Sequence, residues 1–177
     1  MTITNATKAP QRWFLMDVDS GDIWDFPLNP EVVSESVAVN YSRAAIAGMS
    51  HEQLQYSRTG NIKVPLRIIL HRDMIARDRN ITWAKAQDVM MKFVRFVQSL
   101  TVVQKKYLGQ IGGSPPSVYL SVPELLEIQA KVTNLGITYD QLDHDYKPIM
   151  VTVQVELEEH RESRYYSEDV REFGTRR

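Results

Sequence analysis

The sequence predicts a mainly β, α+β fold: an antiparallel β-sandwich or open barrel with one amphipathic helix packed on its side. Several segments alternate apolar and polar residues with the period of two expected of half-buried strands. One segment, residues 82–100, instead repeats apolar residues at three- and four-residue spacings, which is typical of a helix. Strands precede and follow this segment without β-α-β alternation, and this order argues against a parallel sheet.

The first half of the chain contains most of the predicted turns. Residues 13–19 and 23–26 flank the turn residues Ser20–Asp22, which predicts a hairpin. Residues 31–41 alternate strictly, so we expect a long strand with one better-packed face. That face holds Val33, Glu35, Val37, Val39 and Tyr41. Residues 42–52 are small and predict a loop.

A second strand region follows a predicted tight turn. Gly60 and Asn61 both tolerate positive φ, and they precede an alternating strand at residues 62–71. Pro65 lies inside that strand and cannot donate a backbone hydrogen bond. The strand is therefore expected at a sheet edge or at a bulge.

The predicted helix at residues 82–100 has an apolar and a polar side. The apolar side consists of Trp83, Ala86, Met90, Phe93, Val94 and Val97, and the polar side of Lys85, Asp88, Lys92, Arg95 and Ser99. Asn80 or Thr82 is the expected N-cap. After a connection rich in glycine and proline, further strands are predicted at residues 117–122, 126–139 and 149–157.

Composition limits the class of protein. The 177 residues are 43% hydrophobic and 24% charged, with a formal net charge of -1 and no cysteine. This balance gives no bulk field for nucleic acid or anionic lipid, and no apolar run reaches the roughly 18–20 residues that span a bilayer. We expect a soluble, unexported chain with a flexible arm at residues 1–12, one β domain at residues 13–157 and a charged extension at residues 158–177.

No catalytic motif stands out. Asp140, Asp143, His144 and Asp145 form the only cluster that resembles a metal or acid/base site, but their spacing fits neither an EF-hand nor a zinc motif, and a solvated turn is the simpler interpretation. The glycine-rich residues 110–114 lack the phosphate-loop pattern. The arginines of residues 71–79 are interleaved with aspartates, which weakens their field. We expect no enzyme activity, no cofactor and no metal.

A set of segments in a defined order resembles a known family, the tube and tube-adaptor proteins of contractile phage tails and related injection particles. The segments span residues 13–157 and comprise WDFPLNPE at 24–31, SESVAVNY at 34–41, LQYSRTGN at 54–61, FVQSL at 96–100, the Pro115-Pro116 pair, the Val132-Thr-x-Leu135 strand and the final strand from Pro148. The resemblance rests on their order and spacing, since no single segment is a unique signature.

The resemblance implies a tail-tube-type fold that assembles as a ring, commonly hexameric, around an axial channel. An adaptor member would join the central hub and spike to the first tail tube ring, in the baseplate region of a virion assembled in the host cytoplasm. Its implied partners are further copies of the chain, the hub-spike protein and the tube protein, with sheath or wedge subunits as additional candidates. No membrane or sequence-specific nucleic acid is implied. Many members carry a C-terminal LysM module, which we do not expect in the 20 residues after Leu157.

The charged extension contains the predicted interface residues. Six acidic residues and five arginines fall within residues 158–177. We expect Tyr165, Tyr166, Val170 and Phe173, with Arg161 and Arg164, to anchor on a neighbouring subunit, because aromatic and arginine side chains dominate protein interfaces.

Two other functions remain open from the sequence. The chain could be a tube or tail-end ring subunit away from the hub. It could also be a small ligand-binding β-sandwich, with Trp13, Trp24, Tyr41 and Tyr56 lining a groove. Strand-spaced aromatic residues more often belong to a core than to a groove.

Overall fold

The computed structural model describes residues 12–26, 30, 32–44, 50–103 and 113–160. The strands are β1 (Phe14–Asp17), β2 (Ile23–Asp25), β3 (Val39–Ala44), β4 (Gln53–Thr59), β5 (Lys63–His71), β6 (Val118–Val122), β7 (Leu126–Leu142) and β8 (Pro148–Glu159). The helices are α1 (Arg72–Arg79) and α2 (Trp83–Ser99). The mainly β, antiparallel α+β fold is confirmed, and the described strands do not close into a barrel.

Six strands form one antiparallel sheet in the order β2-β1-β6-β7-β8-β5. The predicted hairpin is the pair of β1 and β2. On β5, alternate residues from Val64 to Leu70 are buried, as the period of two requires. Pro65 lies on this edge strand, as predicted, since a proline there leaves no ladder hydrogen bond unmade.

Helix α2 packs its apolar side into the core. Ala86, Met90, Phe93, Val94 and Val97 are all buried, and the predicted polar side is exposed. Thr82 is the N-cap, although its side chain makes no capping hydrogen bond. Asn80 instead ends the preceding helix in the left-handed conformation, with φ 50. Trp83 was expected in the apolar stripe, but it is 63% exposed, so that assignment was wrong.

Helix α1 is an addition to the single helix that the sequence predicted. Its eight residues bury only Ile75 and Ala76, so its apolar pattern is too short to stand out. His71 caps it, because its Nδ1 accepts a hydrogen bond from the Asp73 backbone N–H at 3.2 Å. Arg77 and Arg79 occupy the last turn, where the helix dipole favours cations.

Strands β3 and β4 form a separate two-stranded sheet, and two predictions for the first half of the chain were wrong. The expected long strand at residues 31–41 is regular only from Val39, and Val39 and Tyr41 on its supposedly packed face are 47% and 53% exposed. Neither Gly60 nor Asn61 has positive φ, and the chain runs on from β4 toward β5 without the expected tight turn. The alternating pattern predicted that this face is buried, but in the single chain Val39 and Tyr41 on it are exposed.

Residues next to both predicted limits of the β domain contact the folded body. Arg12 lies against the folded body, where its guanidinium donates to Asp78 at 2.7 Å and 2.9 Å. Strand β8 continues two residues past Leu157, and the His160 N–H donates to the Gln129 carbonyl at 2.9 Å. The arm at residues 1–11 and the extension from residue 161 lie outside the described residues.

Candidate interaction surfaces

The most unusual surface is the ribbon, which we define as residues 36–44 together with residues 50–63. Every residue of β4 is exposed, and so is every residue of β3 except Ala44. Five apolar or aromatic side chains are nearly half exposed or more: Val37, Val39, Tyr41, Leu54 and Tyr56. The rings of Tyr41 and Tyr56 meet edge to face, 6.1 Å apart. A two-stranded sheet with both faces in solvent is marginally stable by itself, so the ribbon is expected to need a partner.

The ribbon is tied to the main sheet at its base. Ser36 and Lys63 exchange backbone hydrogen bonds at 3.0 Å and 2.9 Å, and the Gly60 N–H donates to the Ala38 carbonyl at 2.7 Å. A Cβ at Gly60 would lie 3.3 Å from that carbonyl oxygen, which is tighter than most side-chain contacts. Glycine therefore permits the two chains to approach closely. The base fixes where the ribbon leaves the body, at the end of β5 that pairs with Glu158.

Two strand edges of the main sheet are also open. On the side of β7 away from β8, no described strand pairs with residues 134–142. On the free side of β5, the described pairing is a single bridge from Ser36 to Lys63. Open edges expose backbone donors and acceptors that another chain can pair with.

The connection between β7 and β8 is a rigid turn at the opposite end of β8. Asp143 Oδ1 accepts from the backbone N–H groups of Asp145 and Lys147, at 2.9 Å and 3.1 Å. The N–H of Lys147 above all, with that of Asp145 and the Arg72 guanidinium, lowers the pKa of Asp143. The carboxylate is therefore ionised at neutral pH. Tyr146 follows with φ 59 and is 85% exposed.

An aromatic and arginine cluster lies beside this turn, and we call it the turn patch: Arg72, Trp83, Leu142 and Tyr146, with turn residues 143–147. The Arg72 guanidinium lies 5.5 Å from the centre of the Trp83 ring and 3.4 Å from the Asp143 carboxylate. Trp83 and Leu142 are 63% and 51% exposed. Because Arg72 touches both the helix and the turn, it joins them into one surface.

The structure places the other predicted site residues as follows. Among the described residues, no three histidine or acidic side chains are grouped closely enough to hold a metal ion, and this includes the 140–145 cluster. Two of the arginines in residues 71–79 bind acids within the chain: Arg72 binds Asp143 and Arg79 binds Asp25. Tyr165, Tyr166, Val170, Phe173, Arg161 and Arg164 lie outside the described residues, so their interface role stays a prediction.

The four aromatic residues proposed for a ligand groove are divided between two regions. Trp13 is 2% exposed and stacks on Phe26, and Trp24 packs against Phe93. Tyr41 and Tyr56 lie on the ribbon. Trp13 is therefore part of the core. Open hollows of about 500 Å³ beside the ribbon base and about 350 Å³ farther along β5 and β8 are lined by polar and apolar residues together. No helix in the described part of the chain is long and apolar enough to span a bilayer.

A folded domain with a bare ribbon and open strand edges is typical of a subunit that associates with neighbouring chains. The chain belongs to the family of contractile injection system tube proteins, since the family model matches residues 1–167. It is therefore a component of such a system, as its resemblance to tube and adaptor proteins indicated. No curated protein matches the chain.

Similarity to solved structures was found as well. One similar chain is from the structure described as the cryo-EM structure of the anti-feeding prophage baseplate, 6-fold symmetrised. The two chains share 13% identity over 88% of this chain and 94% of the other, with a TM-score of 0.42.

The sequence did not identify the two exposed surfaces. The ribbon alternates like any half-buried strand, so nothing in its pattern distinguishes burial by the same chain from burial by a neighbour. Trp83 has the helical spacing of a core residue, but it begins the helix next to Arg72. One available indication was the tyrosine at position 146 in a turn of charged residues.

Proposed function

We propose that this protein is a ring-forming baseplate hub-adaptor that joins the hub and spike of a contractile injection particle to the first ring of its tail tube. In this proposal the chain is non-enzymatic and works in a hexameric ring, assembled in the host cytoplasm and retained in the particle. The observation that supports association most directly is the ribbon, where Tyr41, Leu54 and Tyr56 are each more than half exposed.

The physical argument is that the isolated chain leaves its ribbon incomplete. Burying apolar surface is worth about 25 cal/mol per Å², and the exposed part of these ribbon side chains gains none of this within one chain. Open edges on β7 and β5 add backbone groups that a neighbour can satisfy. Family membership supplies the kind of assembly, and the adaptor assignment follows from the resemblance of the ordered segments in residues 13–157 to tube and tube-adaptor proteins.

The charged extension is a second part of the proposal. We infer that Tyr165, Tyr166, Val170 and Phe173, with Arg161 and Arg164, anchor the adaptor on a neighbouring subunit. Glu159 and His160 make backbone hydrogen bonds to Ile62 and Gln129, so a truncation that tests the anchor should begin at residue 161. Unchanged incorporation of a chain lacking residues 161–177 into particles would exclude the anchor.

Counting copies per particle tests the adaptor assignment. A hub-adaptor ring is present once at the tube end, so its copy number per particle stays constant when tube length changes. Quantitative mass spectrometry of particles with short and long tubes should show a constant ratio of this chain to the hub protein. A ratio that rises with tube length would identify a tube subunit instead, and absence from purified particles would refute both assignments.

A further inference from the structure

We propose that the ribbon of one copy docks on the turn patch of the next copy, so that copies of this chain associate head to tail. This proposal rests on the proposed function, because it assumes contact between identical chains. It names the two surfaces that meet, the ribbon with Tyr41 and Tyr56 and the turn patch with Trp83 and Tyr146.

The two surfaces lie at opposite ends of the same strands. Lys63, at the ribbon base, pairs with Glu158, whereas His71 pairs with Met150 next to the turn. Met150 and Glu158 are eight residues apart on β8, which separates these ends by about 27 Å. A contact between different surfaces of identical subunits is heterologous, and it closes into a ring when the rotation between neighbours allows.

The surfaces also have opposite charge. The ribbon contains three cationic side chains, Arg43, Arg58 and Lys63, against one acidic side chain, Glu52. Arg43 pairs with Glu52, and Lys63 pairs with Glu158 of β8. Residues 139–147 together with Arg72 contain three aspartates against two cations, with Asp143 paired to Arg72 and Asp145 to Lys147. Complementary charge favours the encounter of these two surfaces and fixes their register.

Charge argues equally against a ribbon docking on another ribbon. A symmetric contact would bring the same patch from both copies together and would place the cations of one ribbon against those of the other. The turn patch has no cationic excess and, with Asp140 before it, has a small acidic excess. It also offers Trp83 and Arg72, two residue types enriched among the strongest interface contacts.

The turn patch is held in place before any partner arrives. The Asp143 N–H donates to the Lys147 carbonyl at 2.9 Å, and the Tyr146 N–H donates to the Asp143 carbonyl at 3.0 Å. These bonds hold Tyr146 in the left-handed conformation, which is unfavourable for a bulky side chain. A turn whose backbone is already fixed loses little backbone freedom on binding, which improves affinity.

Complementation between two variants tests the head-to-tail contact. The ribbon variant is Tyr41→Ala with Tyr56→Ala, and the patch variant is Trp83→Ala with Tyr146→Ala. All four side chains are more than half exposed, so both variants should fold, as circular dichroism can check. The matched control is Leu125→Ala, which removes a 70% exposed leucine outside both surfaces.

Sedimentation of the purified full-length chains gives the readout. Each double variant alone should associate roughly 100-fold more weakly than the wild type or the control. A mixture of the two should form 1:1 dimers and stop there, because each dimer uses the one intact ribbon and the one intact patch.

Two results would overturn the head-to-tail contact: a patch variant that associates like the wild type, or a mixture without dimers. A wild-type chain that stays monomeric at all concentrations would overturn it as well. The particle composition measurement is independent of these results. A chain found in particles but monomeric in solution refutes only the head-to-tail contact, whereas absence from particles refutes the proposed function.

Discussion

Phe93 is the residue at which the hairpin of β1 and β2 meets helix α2. Its ring lies 5.1 Å from Trp24 and 5.3 Å from Phe26, and Phe26 in turn stacks on Trp13 at 3.7 Å. Phe93 is fully buried. These four aromatic side chains attach the short strands β1 and β2, of which β2 is the sheet edge, to the helix.

Replacing Phe93 should therefore destabilise the whole domain. We expect Phe93→Ala to lower the free energy of unfolding by about 3–5 kcal/mol, because it removes buried apolar surface and leaves a cavity. Urea denaturation followed by circular dichroism measures this change. Lys92→Ala, at the exposed neighbouring position, should change stability by less than about 0.5 kcal/mol. A loss below about 1 kcal/mol for Phe93→Ala would contradict the role of the aromatic cluster.

At the scale of elements, helix α2 begins without a side-chain cap. Thr82 has an extended backbone, with φ -68 and ψ 156, but its hydroxyl makes no hydrogen bond to the first turn. The first turn also contains no acidic residue. The positive end of the helix dipole and its free N–H groups are thus left without a side-chain acceptor from this turn.

This missing cap predicts an uncommon pair of results. Thr82→Ala should be nearly neutral, although removing a threonine N-cap ordinarily costs about 0.5–2 kcal/mol. Thr82→Asp should stabilise the domain by roughly 0.5–1 kcal/mol, because a carboxylate can accept from the free N–H groups and interact with the dipole. Thermal unfolding of both variants, at equal concentration, measures the difference. A clear loss of stability in Thr82→Ala would show that the hydroxyl does cap the helix.

The sequence predicted those elements whose burial is complete within one chain. Strands β5 and β8 and helix α2 each pack a periodic apolar face into the same core, so periodicity located them to within about two residues. Helix α1 was missed because two buried residues make no pattern. Strand β3 belongs to a segment predicted from its alternation, but the face predicted to be packed is exposed, and β4 was not predicted.

The candidate surfaces were harder to predict because each depends on distant parts of the chain. The turn patch combines residue 72, residue 83 and residues 142–147, and it exists because β5 and β8 pair so that His71 lies beside Met150. The sequence indicated a solvated turn at residues 140–145 but not its contact with Arg72. The predicted anchor at residues 161–173 lies outside the described residues and remains a prediction.

At the scale of the whole molecule, stability is divided unevenly. The six-stranded sheet and α2 share one core, whereas the ribbon has no described layer on either face. Local regions with few buried apolar contacts open at much lower free energy than the core. The domain is thus expected to have a stable body and a ribbon whose stability depends on its neighbours.

Hydrogen exchange can measure this division directly. In dilute, monomeric chain, we expect amides of β3 and β4 to exchange at least about 100-fold faster than those of β8, because the ribbon opens without unfolding the core. In purified particles the ribbon amides should slow markedly while those of β8, already protected, change little. Mass spectrometry of peptides covering residues 39–59 and residues 148–159 provides both measurements and the internal control. Equal protection of the two regions in the monomer would mean that the ribbon is stable without a partner, and burial by a neighbour would then no longer be needed to explain its exposed tyrosines.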